Sequence, residues 1–176
     1  EYIAKVADEA VTVKGVITGI VAKSKGASNN CIYFQDNDGG YYAYQMSTDP
    51  VTDNQLEVGM TIRVRGVKDI YSGTHEIKNG TVEILDSNKN VVTPADYTEI
   101  YRNAKSLKDS ALVNNQSFLV TLKGVEIKAQ DDTVSSGYFK FQLGELISYI
   151  RISSSTCPLT KEEQTAFKKA HGEHTG

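Results

Sequence analysis

Two stretches of this chain are near copies of each other, and that repeat limits how large its folding units can be. Val11-Thr12-Val13-Lys14-Gly15-Val16 returns as Val120-Thr121-Leu122-Lys123-Gly124-Val125. Each copy is followed by a pair of alternating, aromatic-rich runs. In the first they are Ile32-Tyr33-Phe34-Gln35 and Tyr41-Tyr42-Ala43-Tyr44, and in the second Tyr138-Phe139-Lys140-Phe141 and Tyr149-Ile150-Arg151-Ile152. An internal repeat implies two small units of one design rather than one large enzyme core. Strict alternation over four to eight residues is the signature of a half-buried strand.

Composition agrees with small β-units. Among 176 residues there are ten Tyr, fourteen Gly and no Trp, and 39% are hydrophobic. Tyr and β-branched residues suit pleated surfaces, and Gly suits turns. Net charge is −3. A strong polyphosphate binder carries a basic excess, because phosphate contacts dominate affinity, so any nucleic-acid footprint here would be a local stripe. No apolar run approaches the ~18 residues of a membrane span, and no membrane insertion is expected. The chain starts at Glu1 rather than Met, which reads as an excerpt or a processed form. Cys31 opens an apolar strand and reads as buried, and Cys157 precedes Pro158 at a turn. Two free thiols are expected rather than a bridge between the repeats.

Along the chain, Val11 to Ala22 reads as one long strand whose glycines, Gly15 and Gly19, permit a bulge or bend. Lys23 to Asn30 is a polar loop. Asp36-Asn37-Asp38-Gly39-Gly40 is a hairpin turn. It faintly resembles a calcium loop, but Ser47 stands where a bidentate Glu is needed. In Thr61 to Val67, alternation puts Ile62 and Val64 inward and Arg63 and Arg65 outward. Asp69 to Thr74 reads as a loop, followed by a strand broken at Lys78-Asn79-Gly80. Thr93 as N-cap and Pro94 at the first helical position predict a helix with an apolar stripe of Tyr97, Ile100, Tyr101, Ala104 and Leu107. Thr160-Lys161-Glu162-Glu163 is a capping box that opens a helix running to about Ala170 and closed by Gly172.

A strand with internal glycines, a hairpin, a connection and two further strands follow the element order of an OB-fold. Val13-Lys14-Gly15-Val16-Ile17, Tyr33-Phe34-Gln35-Asp36, Gly39-Gly40-Tyr41, Leu56-Glu57-Val58-Gly59-Met60 and Tyr71-Ser72-Gly73-Thr74-His75 together resemble OB-like modules of secreted and surface-attached bacterial proteins. Such modules often accompany extracellular nucleases. The resemblance covers residues 11–85 well and 93–170 in part, and Gln142-Leu143-Gly144 departs from it in the second copy. The expected architecture is all-β: two tandem five-stranded OB-like barrels, the second incomplete, joined by a short helix. The expected divisions are residues 1–90, a linker with helix at 91–114, and 115–176. With only three strands and a helix in the second copy, the missing strands are expected beyond Gly176 or from another chain. The resemblance implies an extracellular or cell-envelope location, with other domains of the same polypeptide as neighbours.

The binding face of an OB-fold lies on its second and third strands, flanked by the loops joining strands 1–2 and 4–5. With Ile32 and Phe34 inward, Tyr33 and Gln35 face out, as do Tyr42 and Tyr44. Edged by Lys23 and Lys25, these residues are the candidate ligand site. Single-stranded nucleic acid is the first ligand expected, because aromatic faces stack bases. A glycan is the alternative, since sugar rings stack on tyrosine without a basic field. A third reading makes the chain a structural spacer, with those tyrosines buried against the linker helix or the other repeat. No catalytic residue, cofactor or metal is expected. His171-Gly172-Glu173-His174 has metal-like spacing but sits at a helix end, and a site needs three or four converging ligands.

Overall fold

The computed structural model describes residues 2–21, 29–47, 55–129, 137–152 and 159–172. They form two compact units: residues 1–95 with 113–120, and residues 96–112 with 121–176.

The first unit is a closed five-stranded barrel of β1 (Ala10–Val21), β2 (Asn29–Gln35), β3 (Gly40–Ser47), β4 (Thr61–Tyr71) and β5 (Thr74–Asp86), in the order β1-β2-β3-β5-β4. All neighbours are antiparallel except β3 and β5, which run parallel and close the barrel. This is the strand arrangement of an OB barrel.

β1 serves both of its neighbours in turn. Its residues 10–16 pair with β4 and its residues 16–21 with β2, with a register shift between Ile17 and Gly19. Gly15 sits at the crossover, where a Cβ would lie 2.6 Å from the Gln35 carbonyl oxygen. The expected mid-strand glycine bend is therefore present, with close approach as its cause. Alternation places Ile17, Ile32, Phe34, Ala43, Ile62, Val64 and Ile77 fully inside. Arg63 and Arg65 point outward to Glu83. β4 runs on through Tyr71, and the expected loop at 69–74 shrinks to the turn Ser72-Gly73. Both turn residues have positive φ (50° and 87°), as a two-residue hairpin with strand-compatible twist requires. β5 is one strand, and the expected break is a bulge opposite Arg65 and Val67.

The second unit is not a second closed barrel among the described residues. Its sheet has three strands in the order β10-β9-β8: β8 (Glu126–Ile127), β9 (Tyr138–Leu143) and β10 (Leu146–Arg151). The repeat explains the difference. In the first copy all six residues lie in β1. In the second, Val120-Thr121 form the two-residue strand β7, and Gly124 turns the chain with φ +68° before β8 begins. Six residues that differ at one position, Val13 against Leu122, make a continuous strand once and a corner once.

The helix after the first unit also differs from expectation. Ala95–Asp96 are extended (β6), and α1 spans only Thr98–Asn103, with Tyr97 as its cap residue. The N–H of Ala95 donates to the Leu119 carbonyl and that of Tyr97 to the Thr121 carbonyl. These bonds hold residues 95–97 out of the helix that Thr93-Pro94 would begin. Ala104 is buried but Leu107 is half exposed, so the stripe is not continuous. A further turn, α2, covers Ser110–Val113. α3 (Lys161–Ala170) has the predicted capping box with both reciprocal bonds, and Gly172 follows with φ +63°. Phe167 of α3 meets Phe139 of β9 edge to face at 5.1 Å. Leu143, Leu146 and Ile152 are buried in the same unit.

Candidate functional site

The β2–β3 hairpin carries the candidate face. Its turn is built by Asp36, whose Oδ1 accepts from the backbone N–H of Asp38 (2.8 Å) and of Gly39 (2.9 Å). The Tyr41 hydroxyl donates to the same carboxylate. Burial, followed by the nearby Asp36 charge, pushes the Tyr41 hydroxyl well above its usual pKa. The Asp36 carboxylate is thus engaged in holding the turn, which answers the faint calcium-loop pattern.

Register then sets the outer surface. Tyr33 stands opposite Tyr42, and Phe34 opposite Tyr41. Phe34 and Tyr41 turn inward, while Tyr33, Tyr42 and Tyr44 turn outward. The Tyr33 and Tyr42 rings stack at 4.6 Å and 27°, and Tyr44 lies 6.2 Å from Tyr42 at 46°. Tyr33 is 38% exposed and Tyr44 37%. Tyr33 and Tyr44 are exposed, and Tyr42 between them is half-buried, so the exposure of all three that would count against the spacer reading is met for two of them. Cross-strand aromatic pairs of this kind also stabilise the hairpin.

Cys31 sits at the irregularity between Asn30 and Ile32 and is a free thiol. It is half-buried, short of the burial expected from its apolar strand, and the Tyr42 hydroxyl is its hydrogen-bond partner. Burial first, then Cys31, raises the Tyr42 pKa. Because Ile77 pairs with Ala43 inside the barrel, Glu76 of β5 faces outward beside Tyr42. Glu76 is only 6% exposed. Burial, and then Asp69, raises its pKa. Asp69 itself is ion-paired with Lys78 at 2.9 Å. The described margin of the platform thus consists of the buried Glu76 and the Asp69–Lys78 ion pair. Lys23 and Lys25, the expected basic edge, lie outside the described residues, as do Cys157 and His174.

Gln35 faces outward as expected, and its Oε1 accepts from the Leu119 N–H at 2.9 Å. Residues 113–120 thus lie against the barrel within the first unit. Gln116 Oε1 accepts from the His75 N–H at 2.7 Å, and its Nε2 donates to the Val113 carbonyl. A Cβ on Gly40 would lie 2.4 Å from the Phe118 nitrogen, so the segment needs a glycine there. No local signal in Asn115-Gln116-Ser117 marks this role.

Sequence reasoning also missed a buried polar cluster at the barrel mouth. Lys68 is fully buried, its Nζ 4.1 Å from the centre of the Tyr2 ring, and it donates to His75 Nδ1. Burial pulls the Lys68 pKa down from 10.5 to about 8, and burial followed by the Lys68 charge lowers that of His75. Nearby, a cleft of about 640 Å³ is lined by Tyr2, Lys5, Thr12, Lys14, Asp36 and Tyr41, among others. Among the described residues, no cluster of three or more His, Cys, Asp or Glu could hold a metal ion. No described helix is long and apolar enough to cross a membrane.

No family model matches this chain. No curated protein matches it either. Among solved structures, it is similar to a Replication Protein A heterotrimer bound to ssDNA, at 18% identity and TM-score 0.34, over 55% of this chain and 65% of that one. It is also similar to Entamoeba histolytica asparaginyl-tRNA synthetase, at 14% identity and TM-score 0.41, over 88% of this chain and 42% of that one. The chain thus spans less than two thirds of either protein. The barrel's strand order stands independently of these likenesses.

Proposed function

We propose that the first unit is a non-catalytic OB-type binding module whose β2–β3 face takes the unpaired bases of a single-stranded nucleic acid. The observation that carries this reading is the pair of exposed rings, Tyr33 and Tyr44, set about the half-buried Tyr42 on the outward face of a closed five-stranded barrel. Each base stacked on an aromatic ring contributes roughly 1–3 kcal/mol, and every base has a face to stack. The module belongs, on this reading, to a larger secreted or envelope-attached bacterial protein. Titration of a fluorescent oligothymidylate, about ten nucleotides long, into the chain at low salt tests the ligand. Tyr44→Ala is expected to weaken binding by roughly five- to thirtyfold, equivalent to ~1–2 kcal/mol. No binding at tens of micromolar, or binding indifferent to Tyr44→Ala, removes the proposal.

The described margin, with Glu76 buried and Asp69 ion-paired with Lys78, offers no surplus of cations and favours a second reading, a neutral glycan stacked on the same tyrosines. It predicts that an oligosaccharide, and not the oligonucleotide, loses affinity on Tyr44→Ala.

A further inference from the structure

The first half of β1 is paired on one side only. Its register with β4 runs unbroken from Ala10 opposite Val67 to Val16 opposite Thr61. Just beyond each end, the Lys68 N–H donates to the Glu9 carbonyl at 2.8 Å and the Ile17 N–H to the Met60 carbonyl at 2.9 Å. Bonded positions alternate along an antiparallel ladder, so Val11, Val13 and Gly15 bond to β4. Ala10, Thr12 and Lys14 therefore turn their backbone N–H and C=O groups the other way. On that side β2 pairs with β1 only from Val16 onward. Among the described residues, no hydrogen bond reaches this edge at Ala10, Thr12 and Lys14. The edge forms one wall of the cleft of about 640 Å³, which the turn at residues 2–5 and the hairpin at 36–41 also line. The hydroxyl of Tyr2, another lining residue, is buried with no hydrogen-bond partner among the described residues. Of the charged groups there, Lys5 is ion-paired with Glu9, and Asp36 holds its own turn. Lys14, which is exposed, has no ion pair among the described residues.

An unpaired strand edge offers a row of donors and acceptors that another strand can complete. The cleft decides which strand. A single extended chain can enter it, whereas a second copy of the barrel would bring its own walls at residues 2–5 and 36–41 against these. We propose that β1 takes an extended segment of a partner protein as an added antiparallel strand along residues 10–14, with an acidic side chain opposite Lys14. Five extended residues span ~17 Å. In that register the residues opposite Thr12 and Lys14 exchange both backbone bonds with them, and their side chains share the outer face with Thr12 and Lys14. The residues between them turn inward beside the buried Val11 and the half-buried Val13, and are apolar. The edge is separate from the tyrosine face of β2 and β3, so the proposal holds whatever that face binds.

The probe is a fluorescent, end-blocked peptide, Val-Thr-Val-Glu-Val-Thr-Val, titrated into the full chain. An ester in place of the backbone N–H of its central Glu removes a donor aimed at β1 without adding bulk. It is expected to weaken binding about three- to tenfold. The same replacement at the neighbouring Val, whose N–H points away from β1, is expected to change little. Thr12→Pro removes a cleft-facing N–H and leaves the bonds to β4 in place. It is expected to weaken the unmodified peptide by about three- to tenfold or more. Lys14→Glu is expected to reverse the preference, so that a Lys-centred peptide binds about two- to fivefold more tightly than the Glu-centred one. In the free chain the amides of Thr12 and Lys14 are expected to exchange faster than those of Val11 and Val13, and to slow when the peptide is added. Equal effects of the two esters overturn the proposal, as does no binding at about 1 mM peptide. So does self-association of the chain that Thr12→Pro abolishes, which would make a second copy the occupant. The ester peptides act on the unaltered chain, so the test stands even where Thr12→Pro impairs folding.

Discussion

At the scale of single residues, Lys68 is the most consequential side chain that alternation alone could have found. The inward set Ile62, Val64 continues in steps of two to Lys68, yet a lysine on that list invites the reader to end the strand. Burying it is tolerable because the stem packs, the ammonium rests on the Tyr2 ring, and Nζ is hydrogen-bonded to His75 Nδ1. The consequence is a pH dependence of unfolding. With the folded pKa near 8, the unfolded chain holds more protons than the folded one from pH 8 towards 10.5, so stability rises with pH there. Tyr41, which is buried, and Tyr2 and Tyr42, which are half-buried, all have raised pKa values, and they reverse the trend once their unfolded forms ionise near 10. Between pH 8 and 9 the chain is expected to gain about 1 kcal/mol in urea unfolding. Lys68→Met should abolish that gain, and a gain that persists in the variant would assign the effect elsewhere. His75 acts in the same direction at lower pH. Its depressed pKa means stability is lost as pH falls below 6.5. By contrast, the outward direction of the described residues of the candidate face was legible. Period-two alternation needs only the local backbone, and Tyr33, Gln35, Tyr42 and Tyr44 all point where it sends them. Cys31 was less so, because the irregularity next to it shifts the period.

At the scale of elements, what could be read depended on whether the determinants were local. The capping box of α3 is satisfied by residues within one turn, and it formed where Thr160 and Glu163 said it would. The helix after Pro94 failed for the opposite reason. Its first turn was claimed by backbone bonds to Leu119 and Thr121, more than twenty residues away. The segment 113–120 is likewise held by distant partners, Gln35, Gly40 and His75. The Gln116 side chain is its central tie. Gln116→Ala would leave the His75 N–H without its acceptor, at a cost of about 1–2 kcal/mol. The expected outcome is a lower urea midpoint and faster amide exchange at His75. Unaltered exchange there would mean that the segment is held by other contacts.

At the scale of the whole molecule, the repeat suggests two like units, whereas the two compact units differ in fold and divide the chain elsewhere, with residues 113–120 in the first and 96–112 in the second. One copy closes into a barrel. The other, broken at Gly124, makes a three-stranded sheet covered by α3. Each unit has its own core, and the core of the second centres on Phe139. Phe139→Ala is expected to cost the second unit about 3–5 kcal/mol. Amides of Ile62 and Val64 in the barrel should keep their protection against exchange, and parallel loss in both units would show a single cooperative core. The chain path has a further consequence. The barrel strands end at Asp86, but the segment that braces them ends at residue 120, with part of the second unit in between. During synthesis the ribosome releases the chain from its N-terminus at about 5–20 residues per second. The five strands therefore emerge and can close seconds before their brace arrives. In that interval the nascent barrel has the weakest grip on its own hairpins, and it is then that a chaperone or a protease would find it most open.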